Sequence, residues 1–173
     1  MLVDVRIMPL AVVALALVGC GPIDGTTTAD RPMSAPGTRE ETTVTRVVDG
    51  DTIHVSLDGD DVTIRLIGID TPETVAPGQP IGCFGPQASA FTTNQLTGED
   101  VILEYDQDLI DPFGRTLAYV WFNGRLFNQT LVDRGFAVAK AYPPNTAHQA
   151  ALDVAEVRAR SANRGLWKRC QAA

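Results

Sequence analysis

Three runs of β-branched residues, separated by tight turns, impose the strongest constraint on how this chain folds. Apolar and polar residues alternate within the runs, and the third run follows an Asp58-Gly59-Asp60 turn. Alternation with a period of two is typical of strands with one buried face, and Asp-Gly favours a hairpin turn. The pattern therefore predicts a three-stranded meander over residues 42–48, 52–57 and 62–69.

Two more strands follow, at residues 100–105 and 116–122. The second ends in Asn123-Gly124, a dipeptide that suits a type I′ hairpin turn. The sequence thus predicts at least five strands.

Three helices complete the pattern. The first begins near Pro86, a residue favoured at the first helical position, and ends at Gly98, which suits a C-terminal cap. The others cover about residues 128–134 and 146–162. This order predicts an α+β, mainly β fold: a five-stranded Greek-key barrel of the OB type with about three helices. Such barrels bind varied ligands, so the fold alone leaves the function open.

The N-terminus has the pattern of a targeting segment. Arg6 precedes an apolar run at 7–18 that is too short to span a bilayer, and Leu17-Val18-Gly19-Cys20 resembles the bacterial lipobox. We therefore expect residues 1–19 to be a signal peptide and Cys20 to carry lipid. A plain secretory signal with an incidental cysteine is the alternative.

A stretch of Thr, Pro, Ala, Gly and charged residues follows Cys20 and ends near residue 41. It has almost no large apolar side chains to bury, so residues 20–41 are predicted to be a flexible linker. The folded domain is placed at 42–170 and a short tail at 171–173.

Export would place the domain in an oxidising compartment. With Cys20 lipidated, Cys83 and Cys170 form an even pair, which favours a disulfide. Two unrelated free thiols are the alternative.

The formal charge of −7 excludes a broad basic surface as the means of holding nucleic acid. Any phosphate chemistry must therefore be local. His54 and His148 lack the spacing of a zinc site, and the sequence contains neither a Gly-rich phosphate loop nor a serine nucleophile elbow.

Acidic residues and arginines concentrate beside turns at four places in the chain. Each has an ordinary structural explanation when it is taken singly, as a turn, a helix start or an exposed strand residue. Together they provide what phosphodiester hydrolysis requires: ligands for a cation, a base for water, and fixed positive charge. The candidate cation ligands are Asp51 and Asp70, the candidate base is Glu73, and the candidate phosphate clamps are Arg65 and Arg115.

Five motifs then resemble the staphylococcal nuclease family in order and spacing, over about residues 42–168. They are VVDGDT at 47–52, IRLIGIDTPE at 64–73, FGPQASAF at 84–91, FGRTLAYV at 113–120 and GLW at 165–167.

The resemblance implies a calcium-dependent nuclease that acts on DNA and RNA and leaves 3′-phosphate ends. It implies that Asp51, Asp70 and the Thr71 carbonyl bind Ca²⁺, that Glu73 is the general base, and that Arg65 and Arg115 hold the scissile phosphate. Phe113 and Lys140 stand where the best-known member of the family has tyrosines, which concerns nucleotide affinity. We expect the domain to act as a monomer.

Two other functions compete with this hypothesis. A catalytically silent barrel that only binds nucleic acid or a protein partner would not need all five groups, and a purely structural lipoprotein would need none of them. The presence of Glu73 and both arginines favours the enzyme.

The location hypothesis predicts that the protein fractionates with membranes, at the outer face of the cell membrane, with part of it released. Cys20→Ser should release the protein or trap its precursor, because the two or three acyl chains of a bacterial lipoprotein are then missing. Cell fractionation with N-terminal mass spectrometry measures this. Wholly soluble wild-type protein with an N-terminus other than Cys20 would contradict the anchor.

Overall fold

The computed structural model describes residues 35–74, 78 and 80–170. The predicted signal peptide, Cys20, the linker up to residue 34 and the tail at 171–173 lie outside these residues. Among the residues that are described, no helix has both the length and the apolar character needed to cross a membrane.

Eight strands and four helices make up the described part of the chain. The strands are β1 (Arg39–Val47), β2 (Thr52–Leu57), β3 (Asp60–Leu66), β4 (Ile69–Asp70), β5 (Asp100–Glu104), β6 (Thr116–Phe122), β7 (Arg125–Leu126) and β8 (Val138–Ala139). The helices are α1 (Gly85–Leu96), α2 (Phe127–Asp133), α3 (Gln149–Ser161) and α4 (Leu166–Arg169).

Five of the strands close into a barrel. β1 pairs antiparallel with β2 and β5, β2 pairs with β3, and β5 pairs with β6. Parallel pairing of β3 with β6 completes the ring, with Arg65 opposite Leu117 and Leu66 opposite Ala118. This closed barrel with its three longer helices confirms the predicted OB-type fold.

Alternate strand residues fill the barrel, as the two-residue period requires. Ile53, Val55, Ile64 and Leu103 are fully buried. Asn128 of α2 is buried too, and it uses both halves of its amide: it accepts from the Val120 amide at 2.9 Å and donates to the Ile67 carbonyl at 2.8 Å. This side chain therefore joins α2 to both sides of the β3–β6 seam.

The first strand begins earlier than the sequence predicts. Residues 39–41 belong to β1, because they pair with β5 and the Arg39 guanidinium lies 2.6 Å from a Glu104 oxygen. β1 therefore begins three residues before the strand that the sequence predicts. One arginine and two glutamates carry no local sign of this pairing.

The third predicted strand is interrupted. β3 ends at Leu66, and Gly68 adopts a φ of +78° that L side chains rarely tolerate. Ile69 and Asp70 then form a separate strand that pairs with β8. The turn redirects Asp70, one of the candidate ligands, away from the line of β3.

Cys83 and Cys170 are joined by a disulfide that spans 87 residues of sequence. This is the pairing that the sequence predicts. It connects the loop before α1 to the residue that follows α4. The start of α4 is held separately, by a hydrogen bond from the Leu166 amide to the Gly135 carbonyl at 2.9 Å.

Replacing both cysteines by serine should lower the free energy of unfolding by about 2–4 kcal/mol, because the disulfide restricts the unfolded chain. Thermal and urea unfolding with and without a reductant measure the loss. The double serine variant is the control, since the reductant should not destabilise it further. Two free thiols in oxidised wild-type protein would contradict the prediction.

Candidate active site

The strand pairings bring the candidate residues to one end of the barrel. Asp51 immediately precedes β2, and Thr52, the first residue of β2, is opposite Arg65 of β3. On its other side Arg65 is opposite Leu117 of β6, which lies two residues after Arg115. The result is an open cleft of about 440 Å³. The charged residues that line it, with Thr71, are Asp49, Asp51, Arg65, Asp70, Glu73, Asp108, Asp111 and Arg115. All the candidate residues from the sequence therefore meet in one place.

Asp51 is the most enclosed carboxylate of the cleft, with 5% of the residue exposed. Its Oδ2 accepts from the Thr71 amide at 2.7 Å and from the Thr71 hydroxyl at 2.9 Å. Burial raises the pKa of Asp51 to about 6, although the Arg65 guanidinium opposes the shift. The ionised carboxylate is therefore short of compensating positive charge.

Arg65 bridges the two candidate ligands. Its Nη2 lies 3.2 Å from Asp51 Oδ2 and 3.2 Å from Asp70 Oδ1. The same guanidinium donates to the carbonyls of Leu66 and Ile69, and only 12% of the side chain is exposed. These contacts hold Arg65 firmly between the carboxylates.

Lys140 also contacts Asp70. It follows β8, and its Nζ lies 2.8 Å from Asp70 Oδ2. The hydrogen bond to Asp70 raises the pKa of Lys140. In the sequence, Lys140 is notable only because the best-known family member has a tyrosine there. Its contact with Asp70 depends on the β4–β8 pairing, which no local sequence pattern predicts.

Glu73 lies at the mouth of the cleft with an exposed side chain. Its carboxylate accepts from the Thr74 amide at 2.8 Å, and its carbonyl accepts from the Gly82 amide at 2.7 Å. The second bond ties the backbone of Glu73 to the residue beside Cys83, and so to the disulfide.

Arg115 is oriented by Asp111, a residue for which the sequence motifs suggest no role. Arg115 Nε donates to Asp111 Oδ2 at 2.7 Å, and the Arg115 amide donates to Oδ1 at 2.9 Å. Burial acts to raise the pKa of Asp111, but the hydrogen bonds from Arg115 outweigh it and hold that pKa below its ordinary value. An aspartate four residues before a turn arginine is the signal that could have revealed this pair.

The donor atoms of the cleft suit a hard cation. Six carboxylates line it against two guanidinium groups, and neither histidine nor cysteine is among the lining residues. Carboxylate and carbonyl oxygens are what Ca²⁺ and Mg²⁺ prefer, and buried Asp51 calls for positive charge. In the described part of the chain no group of three His, Cys, Asp or Glu side chains is placed to hold a metal. A cation here would therefore have few protein ligands.

Both histidines lie outside the cleft. His54 pairs with Asp61 at 2.8 Å, and His148 pairs with Glu104 at 2.9 Å. Each histidine therefore has a carboxylate partner of its own outside the cleft.

Comparison with known proteins decides the family. A sequence profile described as "Staphylococcal nuclease homologue" matches residues 63–169. Over 126 residues the chain is 47% identical to the thermonuclease of Staphylococcus intermedius, covering 73% of this chain and 75% of that protein. The chain belongs to the staphylococcal nuclease family.

Two further relatives extend the comparison. The Staphylococcus hyicus thermonuclease is 46% identical over 124 residues, covering 72% of this chain and 73% of that protein. Endonuclease YncB of Bacillus subtilis (strain 168) is 36% identical over 129 residues, covering 73% of this chain and 61% of that protein. The sequence-based recognition of the family is confirmed.

Asp51→Asn should stabilise the metal-free protein at neutral pH, on the order of 1–3 kcal/mol. The raised pKa means that the folded state holds this proton more tightly than the unfolded chain. The contribution of Asp51 to stability is therefore fully present below its ordinary pKa of 3.8 and is lost as the pH rises through about 6.

Urea unfolding in chelator, at about pH 4 and about pH 7.5, measures the effect. The stabilisation by Asn should be present at the higher pH and shrink at the lower one. Asp60→Asn, at an exposed aspartate of β3, is the matched control. Equal effects of Asp51→Asn at both pH values would contradict the assignment.

Proposed function

We propose that the chain is a calcium-dependent nuclease that hydrolyses phosphodiester bonds of DNA and RNA and leaves 3′-phosphate ends. The observation that carries the proposal is that Asp51, Asp70, Glu73, Arg65 and Arg115 line a single cleft. Family membership supports the nuclease activity, and the S. intermedius relative is named a thermonuclease.

Asp51, Asp70 and the Thr71 carbonyl are the groups that would hold Ca²⁺. Bound there, the ion would polarise the phosphate and neutralise negative charge. The fit rests on the oxygen donors and on the poorly compensated charge of buried Asp51. Two carboxylates leave most coordination places to water and substrate, so calcium should bind weakly, at about 10⁻⁴–10⁻³ M.

The remaining steps belong to the side chains. Glu73 is exposed at the mouth of the cleft, where its carboxylate can take a proton from an attacking water. Arg65 and Arg115 carry the fixed donors for the phosphate oxygens, whose negative charge grows in the transition state. Asp111 keeps the Arg115 guanidinium oriented.

A binding-only barrel explains the cleft less well. Six carboxylates would repel a phosphate backbone unless a cation offset them. Anchoring through Cys20 is a separate proposal, which rests on the lipobox pattern alone.

Cleavage of plasmid DNA and of labelled RNA, with calcium, with magnesium and with chelator, tests the proposal. We expect cleavage with calcium, little with magnesium and none in chelator, because the open site suits the larger and more adaptable ion. End-group analysis should find 3′-phosphates. Full activity in chelator would refute the metal requirement.

In the same assay Glu73→Gln, Arg65→Ala and Arg115→Ala should each slow cleavage by roughly a hundredfold or more, since these groups act in the transition state. Their combined effects should fall short of additive. Glu99→Gln and Arg46→Ala change exposed residues outside the cleft and serve as controls. Circular dichroism checks that each variant is folded. Near-normal turnover of any cleft variant would show that the replaced residue has no role in catalysis.

A further inference from the structure

The carboxylate of Asp70 is engaged on both oxygens by cationic side chains of the protein itself. Oδ1 lies 3.2 Å from Arg65 Nη2, and Oδ2 lies 2.8 Å from Lys140 Nζ. A calcium ion that uses Asp70 must therefore compete with cations already in place.

The two cations differ in how firmly they are held. Arg65 is nearly buried and has three further partners: Asp51 and the carbonyls of Leu66 and Ile69. The Lys140 side chain is 49% exposed, and beyond Asp70 its ammonium lies 5.2 Å from the centre of the Tyr142 ring. Lys140 is the cation that can leave Asp70 with the smaller loss of contacts.

The backbone of Lys140 keeps the ammonium near the cleft when it leaves. The Lys140 amide donates to the Gly68 carbonyl at 2.9 Å, in continuation of the β4–β8 pairing. Asp70 and Tyr142, the two side chains beside the ammonium, both line the cleft, so a Lys140 side chain released from Asp70 remains next to it. Phosphates of a bound strand would pass within reach of a positive charge there.

We propose that Lys140 is a displaceable counterion that competes with calcium for Asp70 and, once displaced, binds a phosphate of the nucleic-acid strand. The inference rests on the proposed calcium site and names a residue that ties metal binding to substrate binding. Without substrate the ammonium opposes the ion. With substrate the same charge has a phosphate as its partner, so the strand strengthens calcium binding.

Calorimetric titration of the folded, disulfide-bonded full chain with calcium tests the first half. Lys140→Met removes the charge and keeps most of the length, so calcium should bind roughly two- to fivefold more tightly, as expected for the loss of a partly exposed ion pair. Lys140→Arg keeps the charge and should stay near wild type. Lys168→Met makes the same change on α4, outside the cleft-lining residues, and should have no effect.

Binding of short single-stranded DNA at saturating calcium tests the second half. Glu73→Gln should slow cleavage enough for binding to be measured, and fluorescence anisotropy compares this variant with Glu73→Gln/Lys140→Met. The double variant should bind more weakly, and the slope of log affinity against log salt should fall by about 0.7, the value for one phosphate contact on a single strand.

The outcomes separate this inference from the proposed function. Calcium affinity that falls in Asp51→Asn but is unchanged in Lys140→Met overturns only the role of Lys140. An unchanged salt slope in the double variant overturns the phosphate contact. If wild-type protein binds no calcium at all, the calcium site and this inference both fail.

Discussion

Parallel pairing between β3 and β6 is the interaction on which the site depends. It closes the barrel through residues far apart in sequence and sets Arg65 beside the strand that starts just after Arg115. Without this seam Arg65 and the strand that follows Arg115 would lie at opposite edges of one open antiparallel sheet. Asn128 reinforces it, because its buried amide bonds Ile67 after β3 and Val120 within β6. Leaving either partner unsatisfied in the core would be costly.

The negative net charge of the chain explains why binding of nucleic acid is expected in one cleft and not over a broad surface. The chain carries −7 overall, so long-range attraction cannot gather a polyanion. Inside the cleft carboxylates outnumber guanidinium groups three to one. In the proposed function, substrate capture relies on a bound cation and a few placed side chains, and it should weaken as salt rises.

The sequence predicts the parts of this molecule that local patterns encode. Alternating β-branched residues, Asp-Gly and Asn-Gly turns and the order of motifs yield the barrel and the six candidate catalytic and calcium-binding residues, all of which line the cleft. Apart from Asp111, which pairs with Arg115 four residues later, what it misses depends on non-local pairing. Arg39 joins β1 only because β5 lies beside it, and Lys140 reaches Asp70 only because β8 pairs with β4. Neither residue has a neighbour in sequence that reveals its partner.

Packing and hydrogen bonds of uncharged groups keep Asp51 in the cleft, although its charge is poorly compensated there. Ionised Asp51 is poorly compensated in the absence of metal, so electrostatics alone would favour moving it into water. The packing around Gly50 prevents this movement. A Cβ on Gly50 would lie 2.8 Å from the Thr71 side chain, so the two residues are in close contact. The Gly50 carbonyl also accepts a hydrogen bond from the buried Thr92 hydroxyl of α1 at 2.8 Å. The backbone before Asp51 is thus fixed between α1 and Thr71. Because the packed backbone holds Asp51 in place, its carboxylate stays buried without full compensation by positive charge. A cation that binds there supplies the missing positive charge.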